Sequence, residues 1–264
     1  MVINLKYKDL NINRYKPIRT VATPSNFVLR LWDSGQSLLA MGRYVAARRE
    51  LEAAEQQAFR QRHAAVLAGI YLSLLEAGRQ IRQLCCDGLI AIITDHKLNR
   101  FHVTRELVNS GGVGLMMDTG RKLDTHSFSQ RSVAKEVAVE FLRLVSIKGS
   151  WYLTPMGGRY FVVPVIWTTD PEQLIVPAAP ENLIAILPPP GIYRPGDPHH
   201  AQARETLFLV WEALALGYLA RRHQQRRDGW AELAVLRQAC KIDPACERIL
   251  MQMITLAESL RVRV

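Results

Sequence analysis

Apolar and polar residues alternate at helical spacing over the first and last thirds of the chain, and less regularly between them. From Ser25, Phe27, Leu29, Leu31, Trp32, Leu38 and Leu39 recur among polar residues up to Gly42, the spacing of one helix with a buried side. A longer helical stretch follows from about Tyr44 to Leu84, rich in the helix formers Ala, Leu, Glu, Gln and Arg. Leu89 to Ile93 is an apolar run that suits a buried helix or a strand, and Phe101 to Leu107 predicts a helix broken by Ser110-Gly111-Gly112-Val113-Gly114. Further helices are expected over 206–222, 229–240 and 244–260, a small C-terminal bundle of a kind that suits homodimer formation.

Ser127 to Val163 carries the sharpest expectation. On a helical wheel Val133, Val137, Phe141, Leu144, Ala134, Ala138, Leu142 and Val145 share one half-circle, with Arg131, Ser132, Lys135 and Arg143 on the other half or at its border. Ser127 or Ser129 supplies an N-cap. Trp151-Tyr152-Leu153 and Tyr160 to Val163 then read as a hairpin turning at Gly157-Gly158. A basic-faced helix followed by a hairpin is the order of a winged helix-turn-helix. In that reading Arg131 and Lys135 reach base edges or phosphates, and Arg121, Lys122, Lys148 and Arg159 hold the DNA backbone. Gln130, Ser132 and Arg143 complete the candidate DNA-binding set. The competing reading is an amphipathic helix and hairpin packed in an ordinary α+β domain.

Charge changes the picture in one respect. The 264 residues carry 34 Lys and Arg against 24 Asp and Glu, a net charge of +10 that favours a polyanionic partner. No apolar run is long enough to span a membrane, and MVINLKYKDL has no apolar core of a secretory signal, so a cytoplasmic protein is expected. Cys85, Cys86, Cys240 and Cys246 match no zinc-binding spacing and read as buried free thiols; no metal or other cofactor is expected. GGVG lacks the Lys-Ser/Thr ending of a phosphate-binding loop. Asp95-His96 and Asp124-x-His126 are isolated pairs, and no catalytic signature is present, so an enzyme is not expected.

Residues 170–200 hold 8 of the 13 prolines and read as an extended connector. The expected architecture is therefore α+β, mainly α. It comprises an N-terminal arm over 1–24, a helical and winged-helix DNA-binding domain over 25–169, the linker over 170–200, and the helical bundle over 201–264. Ser73-Leu74-Leu75-Glu76-Ala77-Gly78-Arg79 echoes Ser37-Leu38-Leu39-Ala40-Met41-Gly42-Arg43, which also raises a tetratricopeptide-like repeat.

Gly69-Ile70-Tyr71-Leu72-Ser73-Leu74-Leu75-Glu76-Ala77-Gly78-Arg79-Gln80-Ile81-Arg82, with Arg131, Val133, Val137, Arg159-Tyr160 and Trp167, resembles the cyanobacterial heterocyst-differentiation regulators of the HetR type. HetZ or PatU-type relatives are nearer than HetR itself, because residues 87–123 intrude between the two segments and Ser132 replaces a cation. The resemblance implies a transcription regulator of cell differentiation that binds double-stranded DNA and acts with another regulator of the same family. The alternative is a protein-interaction module that modulates such a partner without binding DNA.

Overall fold

The computed structural model describes residues 25–94, 100–117, 135–156, 161–173, 182–222 and 228–262. It is a mixed α/β protein. Helices α1 (Asn26–Ala40), α2 (Tyr44–Arg60) and α3 (Ala64–Asp87) lead into strand β1 (Leu89–Ile93), helix α4 (Arg100–Ser110) and strand β2 (Gly112–Met117). Strands β3 (Val139–Ile147), β4 (Ser150–Pro155), β5 (Val163–Trp167), β6 (Ala185–Leu187) and β7 (Gly191–Tyr193) follow. Helices α5 (Pro198–Arg222), α6 (Gly229–Ile242) and α7 (Glu247–Val262) complete the order.

The early helices start and stop where local chemistry says they should. Ser25 caps α1 by accepting a hydrogen bond from the Val28 N–H, and Gly42, at φ +71°, turns the chain out of it. Residues 61–63 divide the long helical stretch into α2 and α3. The two halves of the sequence echo fall in unlike places, which removes the repeat. Gly42 is a helix-terminating residue, whereas Gly78 lies inside α3, where a Cβ would meet the Pro244 carbonyl oxygen at 2.3 Å.

The sheet runs β6-β5-β4-β3-β2-β1-β7. β1 and β2 are parallel around α4, and β2 and β3 are parallel. β3, β4 and β5 form an antiparallel meander, and β6 is parallel to β5. The hairpin expected after the basic helix is present as β4 and β5, with Leu153 opposite Val163; Gly157, Gly158, Arg159 and Tyr160 lie outside the described residues.

The basic helix itself is corrected. Residues 139–147 form a strand flanked on both sides, pairing Leu142 with Leu115 and with Pro155. Leu142 and Leu144 enter the core on one face, while Val139 and Phe141 pack against α4 on the other. A strand with apolar residues on both faces lacks strict alternation, and here Glu140, Arg143 and Ser146 fall three residues apart, close to a helical period. The first part of the expected helix, including its Ser127 or Ser129 cap, is outside the described residues.

The proline-rich stretch is corrected as well. Its described part supplies β6 and β7, the two edges of the sheet, joined only by Pro188-Pro189-Pro190. Laid flat, seven strands would set those edges about 29 Å apart. The chain from Leu187 to Gly191 reaches at most about 14 Å. The sheet must therefore curl, and it curls about α5. Residues of all seven strands, from Ile90 and Val113 to Leu187 and Tyr193, share one core with Ala203, Leu207, Val210 and Trp211.

A second core is purely helical and draws on both ends of the chain: Leu51, Leu67, Ile70 and Tyr71 meet Leu219, Leu236, Leu250 and Met253. Helix α3 joins the two. Its residues up to Ala77 belong to the helical core, whereas Ile81, Cys85 and Cys86 belong to the sheet core. At the joint Arg82, 2% exposed, donates from Nε to Glu140 of β3 (2.8 Å) and from Nη2 to Asp243 between α6 and α7 (3.0 Å). Its guanidinium stacks on Trp211 of α5 with Cζ 3.9 Å from the ring centroid.

Candidate nucleic-acid interface

The expected DNA-contacting residues do not form one surface among the described residues. Arg121, Lys122, Gln130, Arg131, Ser132 and Arg159 lie outside them. Lys135 is exposed in a turn before β3, where its Nζ donates to Asn109 of α4 at 2.6 Å. Lys148 is exposed in the turn after β3, at φ +50°. A nine-residue strand separates the two cations, on the order of 30 Å. Arg143 sits between them, half-buried in the sheet opposite Met116 and Thr154. The neighbouring Glu136, at φ +56°, is turned inward as a cap for α2. Its carboxylate accepts from the Ala46 N–H (3.3 Å) and from Arg43 (2.7 Å), where the N-cap residue provides no side-chain bond of its own.

Positive charge gathers instead at one end of the helical unit. Several helix termini meet there, and specific contacts fix the meeting. Ser25, before α1, accepts a bond from Gln61 after α2. Arg62 in the α2–α3 turn lies over Trp230 at the start of α6, with Cζ 5.9 Å from the ring centroid, and Phe59 packs edge-on against the same ring at 5.7 Å. The end of α7 closes over Gly229, where a Cβ would stand 2.7 Å from Leu260. Helix α5 ends at Arg222, and Asp228, whose carboxylate caps α6, follows six residues later.

Among the described residues, the exposed cations in or beside these termini are Arg30, Arg60, Arg62, Arg221, Arg222 and Arg261, and the acids Asp33, Asp228, Glu232 and Glu258 lie within about two turns of them along the chain. Arg221 stacks on Phe161 and Arg222 on Tyr218, at 5.4 and 5.8 Å from the ring centroids. Such stacking fixes where a guanidinium sits on the surface. The adjoining sequence carries the same sign. Lys6, Lys8, Arg14, Lys16 and Arg19 precede Ser25 with Asp9 as the sole acid among residues 1–24, and Arg226-Arg227 lie between α5 and α6.

The run from Arg221 to Arg227 is visible in the sequence, but Arg30, Arg60, Arg62 and Arg261 are not singled out by it. Cations in the last turn of a helix are commonplace, because they offset the helix dipole. Only the packing of α1, α2, α6 and α7 brings them together. The pairs Asp95-His96 and Asp124-x-His126 lie outside the described residues, and among the described residues no group of three or more His, Cys, Asp or Glu is placed to hold a metal. No helix among the described residues is long and apolar enough to cross a membrane.

No family model, curated protein or solved structure matches the chain. The segment 69–82, which carries much of the regulator resemblance, lies wholly within α3, and packing accounts for several of its residues. A Cβ at Gly69 would stand 2.5 Å from the Trp32 ring, Gly78 lies against Pro244, and Arg82 holds the joint between the two cores.

Proposed function

We propose that the chain is a transcription regulator that binds double-stranded DNA through the basic end of its helical unit and acts with a partner regulator of related build. The supporting observation is the meeting of helix termini through Gln61 with Ser25, Arg62 with Trp230 and Leu260 with Gly229, which sets the exposed Arg60, Arg62 and Arg261 beside the start of α1, before which the sequence is basic. Cations held on aromatic rings and spread over several helix termini suit a phosphate backbone, whose contacts give affinity and register. Membership among the heterocyst-differentiation regulators rests on the sequence resemblance alone.

The test is fluorescence anisotropy of a labelled duplex at about 150 mM salt, repeated across a salt series. The variant R62E/R221E/R222E changes only exposed side chains. It is expected to bind at least ten-fold more weakly, and to lower the slope of log K against log salt by about 0.9 for each phosphate it no longer neutralises. A control, K135E/K148E, alters cations remote from this end and is expected to bind as the wild type does. Equal weakening by both variants would refute the placement. No duplex binding by the wild type, alongside a stable complex with a partner regulator, would favour the interaction-module reading.

A further inference from the structure

Between α2, α3, α6 and α7 the helical unit leaves a half-open cleft of about 450 Å³, within the size range of small-molecule sites. Its floor is polar and buried. Glu55, 8% exposed, accepts from Nη2 of Arg237 at 2.7 Å and from Nε in a shorter contact. It also accepts from the Tyr71 hydroxyl at 3.2 Å. The Arg237 guanidinium lies flat on Phe59, with Cζ 3.8 Å from the ring centroid. Burial, and then the neighbouring Glu55 carboxylate, push the Tyr71 hydroxyl far up, so it stays a donor. The floor is thus neutral overall, with the Glu55 carboxylate held by Arg237 and Tyr71.

The mouth differs. Arg48 donates from Nε to Glu52 at 2.8 Å, and both residues line the cleft. Lys241 and Gln56 are exposed and line the cleft with no polar partner among the described residues. Leu74, Pro244 and Met253 supply an apolar wall beneath them. Cationic donors at the mouth, an apolar wall and a neutral floor describe a complementary ligand: one negative head with a hydrocarbon body.

We propose that this cleft binds a small amphipathic anion, with Lys241 and Arg48 holding its carboxylate and Leu74, Pro244 and Met253 covering its apolar part. The site is independent of the DNA reading, and its test makes no use of DNA. Isothermal titration of the full chain with decanoate is expected to show saturable one-to-one binding. Decylamine, with the same tail and the opposite charge, and acetate, with the head alone, are expected not to bind. Lys241→Glu should weaken decanoate at least ten-fold, and Gln56→Trp, which fills the mouth from an exposed helical position, should abolish it. Both substitutions are at exposed positions, and circular dichroism checks that each variant is folded. Absence of saturable decanoate binding to the wild type, equal binding of decylamine, or unchanged affinity in both variants would overturn the proposal.

Discussion

Replacing Arg82 with Met tests the joint between the two cores. Arg82 is the shared partner of two carboxylates, Glu140 with 14% and Asp243 with 4% of its side chain exposed. Met keeps much of the packing volume but leaves two acids facing one another away from water. Breaking a buried ion pair from one side costs about 3–5 kcal/mol, much of it the penalty of the orphaned charge. The missing stack on Trp211 adds to that within the same range. For a chain of this size each kcal/mol moves the melting temperature by about 2–4 °C, so a fall on the order of 10 °C is expected near neutral pH.

The penalty should depend on pH, and its sign follows from Asp243. Burial raises the pKa of its carboxyl above the ordinary carboxylate range. Arg82 opposes that rise and Glu140 adds to it, with smaller influences from the Ala245 N–H, which lowers it, and Glu212, which raises it. A carboxyl whose pKa is raised on folding contributes stability that is present below the unfolded pKa and lost as pH rises through the folded value. Removing Arg82 lifts the folded value further and widens that window upward. The penalty for Arg82→Met is therefore smaller at about pH 4.5 than at about pH 7.5. Urea unfolding at both pH values reads it directly. R82M/E140Q/D243N, which removes the orphaned charges, should recover more than half of the stability. A penalty below about 1 kcal/mol near neutral pH, or one equal at both pH values, refutes the reasoning.

Gly78→Ala would ordinarily favour a helix, yet a Cβ here would meet the Pro244 carbonyl at 2.3 Å, so denaturant unfolding should show a destabilisation of about 1–3 kcal/mol. Glu136→Ala removes the acceptor for the Ala46 N–H and for Arg43, and should cost about 1 kcal/mol, with faster amide exchange in the first turn of α2 as the local signature. Burial pushes the thiols of Cys86 and Cys240 up to about 12 and that of Cys246 up to about 11, and Cys85 well above its usual value. Iodoacetamide at about pH 8 should therefore leave all four unmodified in the folded protein and label them after denaturation.

What was legible in the sequence is what neighbours along the chain decide. Ser25 and Gly42 bracket α1, Ser110-Gly111 ends α4, and Asp228 opens α6, each through a cap or turn that acts within a few residues. What was illegible depends on distant partners. Val139 to Ile147 has no local feature that says strand; β2 and β4, on either side, make it one. Pro188-Pro189-Pro190 resembles a linker because proline gives up backbone donors. The same property suits a link between two sheet edges, where the ladder ends.

The candidate site follows the same division. Arg221-Arg222 can be read as a basic helix end, but Arg60 and Arg62 belong with them only because Trp230 of α6 lies under Arg62 and α6 starts soon after α5 ends. Helix α3 sets that arrangement. Its first turn lies close to the basic end, its middle forms one side of the cleft through Tyr71 and Leu74, and its last turns are locked to the sheet through Arg82. A change in the Arg82 joint therefore shifts a helix that borders both proposed binding surfaces. Neither surface takes a residue from a strand, so the sheet contributes by holding the lower half of α3 and by packing against α5, whose end carries Arg221 and Arg222.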